Sequence, residues 1–390
     1  MVQVIPEKDG IYRIHREEDQ KVPGNFPLFE EYGENVQEHT LYLAHNHVFY
    51  VKRSGSIRLT FRKSRNREPD AAVLRALADP ESASVEYSAG ERFEPFAKVE
   101  AEPETGELIL HKGENQPVTE KCELDGTYAF WIRIRCRNVS LLSELEFADI
   151  RVTSQTERSV PDVTLAGGIE QRGEYLPFGE QMGLYEEVYF SSEQALSQKN
   201  AQITLSFRMN FLRIPSETDG QDRNRDWKLI MKRTDFIPDP EYDIGIDEVI
   251  WEYYNGNDWR KLPESDRYSK VFRAASDQLE RKTEITFNCP GDPVLVGAVE
   301  GRYIRARILK MNNLYRWNGQ YITPVLRDTG FEYRYHEPFP MPELIERLNN
   351  MRSDRIYPED LFRAGKDLKP FVPLEEESET LYIGFDQPLR

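Results

Sequence analysis

Apolar and polar residues alternate along most of this chain in short runs, the period of a strand with one buried face. Leu41-Tyr42-Leu43-Ala44 is followed by Ile57-Arg58-Leu59-Thr60-Phe61-Arg62. Far downstream, Val188-Tyr189-Phe190-Ser191 is followed by Ile203-Thr204-Leu205-Ser206-Phe207-Arg208. Two more blocks recur in the same order. Val85-Glu86-Tyr87 through Phe93 stands against Trp251-Glu252-Tyr253 through Trp259, with Glu, Tyr, Gly and a terminal aromatic in register. Trp131, Ile132, Arg133 and Arg135 then match Tyr303, Ile304, Arg305 and Arg307. On a strand, Ile132 and Ile134 share one face while Trp131, Arg133 and Arg135 share the other. A third opening, Leu381-Tyr382-Ile383-Gly384-Phe385-Asp386, stands at the C-terminal end.

A repeat of this kind sets the architecture before any single residue does. It predicts a mainly β chain of tandem β-sandwich or jelly-roll-like modules with a short linker helix. Residues 1–25 read as a connecting segment, 26–165 as the first module and 166–338 as the second. Residues 339–370 read as a linker, and 371–390 as the opening strand of a third module or a docking strand. The truncated opening is read as the start of a module in a longer protein. Two helices are expected, one over Ala71–Ala78 and one over Pro342–Met351, where proline and glutamate precede apolar residues at helical spacing. Asn255-Gly256 between aromatic runs predicts a type I′ hairpin. The charged stretch between Phe211 and Glu248 reads as an exposed insertion.

Length and charge narrow the function. A chain of 390 residues holds two or three domains. Its 68 acidic against 51 basic residues give a net charge of −17, which disfavours nucleic-acid binding and adhesion to anionic membranes. Apolar runs fall well short of a membrane span. Met1 to Asp9 has no signal-peptide pattern, so cytoplasmic synthesis is expected. Three cysteines make no disulfide framework, although a Cys122–Cys136 bridge across adjacent strands stays open.

The candidate surface comprises Trp131, Arg133, Arg135, Trp251, Tyr254, Trp259, Tyr303, Arg305 and Arg307, since arginine and aromatics are enriched at interface hot spots. The plainer alternative is cross-strand pairing of the arginines with Glu86 and Glu252, which their recurrence in both modules favours. Trp251, Tyr253, Tyr254 and Trp259 form either a sugar-stacking platform or, in alternation, part of the core. His45-Asn46-His47 places two imidazoles on one strand face but lacks nearby further ligands, so an exposed polar pair is expected. Asp239, Glu241, Asp243, Asp247 and Glu248 lack EF-hand spacing and read as a solvated loop. No hydrolase elbow, P-loop or zinc-protease motif is present, and Gly167-Gly168 stands alone, so no cofactor, no metal and no enzymatic activity are expected.

Tyr175-Leu176-Pro177-Phe178-Gly179-Glu180, the Trp251–Trp259 hairpin, Tyr303-Ile304-Arg305-Ala306-Arg307 and the Leu381–Leu389 opening together resemble a module of baseplate assembly proteins. That family serves contractile injection systems and contractile phage tails and is related to the baseplate J-like group. The first module departs from it, with Ala44-His45-Asn46 in place of Gly-Phe-Asp and Phe93 in place of the hairpin tryptophan. The resemblance implies a structural wedge component assembled into a phage-tail-like particle. Its partners would be other wedge proteins, the hub or spike, the sheath, and copies of itself. The alternative reading is a carbohydrate-binding array of a tail fibre or adhesin, with a glycan as ligand. A hydrolase fragment would require two carboxylates converging in a cleft.

Overall fold

In this computed structural model the described residues are 2–4, 38–63, 69–215, 242–255, 257–274, 280–290, 301–314, 319–349, 352–373 and 381–383. The first strands are β1 (Val2–Val4), β2 (His39–His45), β3 (Gly55–Arg62), β4 (Ala83–Ala89), β5 (Arg92–Pro95), β6 (Lys98–Glu102), β7 (Glu107–Lys112), β8 (Cys122–Leu124), β9 (Thr127–Cys136) and β10 (Asp149–Gln155). Then come β11 (Val163–Ala166), β12 (Ile169–Glu170), β13 (Glu187–Ser191), β14 (Gln202–Pro215), β15 (Tyr242–Tyr254), β16 (Trp259–Lys261), β17 (Arg281–Asn288), β18 (Tyr303–Asn312) and β19 (Gly319–Arg334). The last are β20 (Leu344–Asn349), β21 (Arg352–Ile356) and β22 (Leu381–Ile383). The helices are short: α1 (Ala71–Ala78), α2 (Val139–Leu142), α3 (Glu193–Leu196) and α4 (Pro358–Arg363). The expected helix α1 forms because Asp70 caps it, accepting from the Ala72 N–H at 2.8 Å, and because Val73, Leu74 and Leu77 are buried.

The chain divides into two compact units, Met1–Ser154 with Glu337–Arg390, and Gln155–His336. In the first unit one sheet runs β21-β20-β2-β9-β4-β5, with β8 on β9, and a second runs β10-β3-β7-β6. Leu41, Leu43, Ile132 and Ile134 of the first sheet and Leu59, Phe61, Leu108 and Leu110 of the second are completely buried. That double burial makes a β-sandwich. In the second unit the order is β12-β11-β13-β18-β15-β19-β14-β17, with β16 on β15. There a parallel pairing of Tyr242–Gly245 with Gly319–Ile322 joins the two halves into one sheet.

The repeat is therefore topological as well as sequential. β20-β2-β9-β4-β5 corresponds to β11-β13-β18-β15-β16, and β10-β3-β7 corresponds to β19-β14-β17. In the second unit Trp251 stacks at 6.2 Å on Phe190 and 6.0 Å on Phe272, and Phe272 stacks in turn on Phe207 of β14 at 5.9 Å.

Two expectations change. The helix expected over Pro342–Met351 is instead strand β20, paired with β2 and hairpinned to β21. The short helix of this stretch lies later, at α4, with proline in its first turn. Leu344, Ile345 and Glu346 are all buried against the first unit's sheet, and the open edge of β2 outweighs local helix propensity. The type I′ turn is also found elsewhere: Asp125 and Gly126 have φ of 43° and 75° between β8 and β9. Asn255 stands at the corner of its turn, its side chain accepting from Asn257 and Asp258 N–H. The cysteines form no disulfide: Cys122 faces Ala129 on the neighbouring strand rather than Cys136. Finally, Leu381–Ile383 pairs with Val2–Val4. The rest of the connecting segment, the start of the first module and most of the insertion lie outside the described residues.

Candidate functional site

The blocks that repeat in sequence become three adjacent strands in each unit. Register aligns Tyr42, Arg133 and Glu86 across β2, β9 and β4. It aligns Tyr189, Arg305 and Glu252 across β13, β18 and β15. Alternation sends these rows to the face opposite the sandwich interior. In the first unit Arg133 Nε donates to Glu86 Oε2 at 2.6 Å, and its guanidinium lies 4.1 Å from the Phe93 ring centre. In the second, Arg305 Nε donates to Glu252 Oε2 at 2.9 Å, and its guanidinium lies 4.0 Å from the Trp259 ring centre. The same four-residue arrangement is built twice, with phenylalanine in one copy and tryptophan in the other.

The second copy is more heavily tied. Arg307 adds a bidentate grip on Glu252, at 3.1 and 2.9 Å, and Arg305 also donates to Glu187 at 2.8 Å. Burial alone would raise the Glu252 carboxyl. The Arg307 and Arg305 guanidiniums outweigh it and hold the group below its usual range. Burial raises the Tyr42 and Tyr189 phenols above theirs. Arg135, the counterpart of Arg307, is exposed.

The nine candidate surface residues thus separate. Trp131, Trp251 and Tyr303 are about fully buried, so their side chains offer no outer contact. Trp131 packs with Ala44, Ala129 and Leu344, and Trp251 points to the sandwich interior. Arg133, Arg305 and Arg307 hold carboxylates of their own sheet. Tyr254 and Trp259 are half-buried and pack on each other at 5.5 Å.

His45 and His47 do not share a strand face, because β2 ends at His45. The His45 ring accepts at Nδ1 from the His47 and Val48 N–H groups, at 3.1 and 3.3 Å, and so shapes the following turn. Burial pushes its pKa down to about 4, against the opposing pull of Glu343, with His47 adding to the depression. Among the described residues no group of three His, Cys, Asp or Glu side chains is placed to hold a metal. Of the acidic cluster, Asp243 pairs with Arg213 at 2.9 Å and Asp247 with Lys310 at 2.9 Å. Asp239 and Glu241 lie outside the described residues.

Three features escape a linear reading. Lys112 is buried and donates to the Arg53 carbonyl at 2.7 Å, with burial lowering its pKa to about 8. Two clefts of about 490 Å³ open in the second unit. One is lined by Arg158, Asp162, Glu170, Arg172, Tyr175 and Thr329. The other lies beside Ile250, Lys261, Arg267, Lys270 and Leu309. Their residues come from separate strands and turns, with no common motif to signal them. No family model matches this chain, and no curated protein matches it.

Proposed function

We propose that this chain is a structural, non-enzymatic component of a contractile injection system or phage-tail-like baseplate. It would join wedge, hub or spike and sheath neighbours, and copies of itself, through the surfaces of its β-sandwich units. One observation carries the reading: the blocks that bear the resemblance form the same three-strand row in both units, tied by the same tyrosine, arginine, glutamate and capping aromatic. A residue set devoted to holding a module together suits a scaffold, in which outer surfaces vary and the frame repeats. The alternative, a carbohydrate-binding array, asks for a flat exposed aromatic face. Burial of Trp251 and the guanidinium stacked on Trp259 weigh against it.

The test is an affinity pull-down with the full chain from lysate of its native host, read by mass spectrometry. Recovery of sheath, spike or other baseplate proteins is the expected result. Retention on a glycan array with no particle protein recovered would overturn it in favour of the adhesin reading.

A further inference from the structure

We propose that copies of this chain associate head to tail, the acidic β6–β7 turn of one copy seating in the basic cleft beside β16 of the next. The cleft belongs to the second unit, with Ile250 and the exposed Leu309 as apolar wall and Glu248, Lys261, Arg267 and Lys270 as charged rim. Lys261 is neutralised within the cleft by both oxygens of Asp266, at 2.7 Å. Arg267 lies 5.4 Å from the Tyr268 ring centre and has no carboxylate within ion-pair distance among the described residues. Lys270 has none within that distance either, although its charge reaches Asp247, which Lys310 holds at 2.9 Å and Arg273 approaches at 3.8 Å. These two cations without an ion-pair partner stand beside the exposed aliphatic carbon of Leu309.

The complementary feature lies in the first unit. β6 and β7 are joined through Pro103-Glu104-Thr105-Gly106, a turn fixed by the Thr105 N–H on the Glu102 carbonyl at 3.2 Å and by Gly106 at φ 71°. Glu102 stands directly opposite Glu107 in the ladder, a like-charge pair that costs stability. Glu107 is compensated by Arg58 at 2.9 Å, and Glu100 by Lys98 and His111. Glu102 and Glu104 are exposed and have no cation within ion-pair distance among the described residues. A turn that presents two carboxylates without ion-pair partners, with Pro103 between them, matches a cleft that presents two cations without ion-pair partners beside Leu309. The surfaces lie on different units and differ from each other, so the contact is heterologous and propagates into rings or filaments. Its small area makes it weak and salt-sensitive, strengthened by closure of a ring. The contact concerns copies of this chain alone, so its fate is separable from that of the baseplate reading.

Sedimentation of the purified full chain tests it, over a roughly hundredfold concentration range, at roughly 0.02 M and roughly 0.5 M salt. The weight-average mass should climb with concentration at low salt and stay at that of one chain at high salt. Arg267→Glu with Lys270→Glu, and separately Glu102→Lys with Glu104→Lys, should each hold the protein monomeric. An equal mixture of the two double variants should associate again, because each then meets opposite charge at both contacts. Wild-type mass independent of concentration at low salt would overturn the proposal. So would association that survives either charge reversal, or a mixture that stays monomeric while both variants melt like the wild type.

Discussion

Glu252 shows how one side chain can serve a module. It is nearly buried, accepts from two arginines and lies between the strand that carries them and the hairpin that caps them. Removing it leaves Arg307 without its carboxylate in a half-buried site. Glu252→Ala should therefore destabilise the second unit by about 3 kcal/mol. Glu86→Ala, which removes the partner of a single arginine rather than of two, should cost about 1 kcal/mol. Urea titration of both variants checks the ranking, and equal losses would argue against the second row being the more tightly tied. His45 makes a pH prediction. Its pKa falls from 6.5 to about 4 on folding, so the unfolded chain binds the extra proton between those values. Its stabilising contribution is thus complete above about pH 6.5 and is lost as pH falls toward about 4, by up to about 3 kcal/mol. His45→Asn keeps an acceptor for the turn and removes the titration, so its stability should vary less across that window. Parallel curves for wild type and variant would reject this account. The alternation that puts Arg133 and Ile132 on opposite faces was legible residue by residue. The burial of Trp131 on the outer face was not, because Leu344 comes from beyond the second module to help cover it.

Among the elements, β20 separates local pattern from structural outcome. Leu344, Ile345 and Leu348 fit a helix by spacing, yet they lie in a strand. An isolated segment of that length has little helical stability of its own, so an unpaired strand edge decides its state. Ile345 is fully buried, and Ile345→Asp should cost about 4 kcal/mol by leaving a charge unpaired in the core. In a solvent-exposed linker the same change would cost about 0.5 kcal/mol or less. Thermal melting of the variant distinguishes the two. The Asp125-Gly126 dipeptide tolerates positive φ at both positions, as few others do, yet the aromatic runs flanking Asn255-Gly256 pointed to that dipeptide instead. The edge of β17 was not readable: Thr286 and Asn288 N–H groups are satisfied by the Tyr268 hydroxyl and the Glu264 carboxylate, at 3.1 Å each. Those partners come from a turn about twenty residues upstream, packed there by the fold.

At the scale of the whole molecule, the second unit is continuous in sequence, and the first is completed by residues that follow the second. This asymmetry predicts different behaviour on truncation. A fragment of residues 155–336 should unfold cooperatively on its own, because all of its sheet lies within it. A fragment of residues 1–154 lacks β20 and β21 and should melt at lower temperature with exposed apolar surface. Calorimetry and dye binding read both, and a fragment 1–154 as stable as the full chain would contradict this division.

Strand identity, the facing of each side chain and the duplication follow from a period of two and from blocks repeated in order, which are local properties of the chain. Who covers an open edge, which arginine meets which carboxylate and where a cleft forms depend on contacts between residues far apart in sequence. Those contacts are set by burial and pairing in three dimensions, and no linear pattern encodes them.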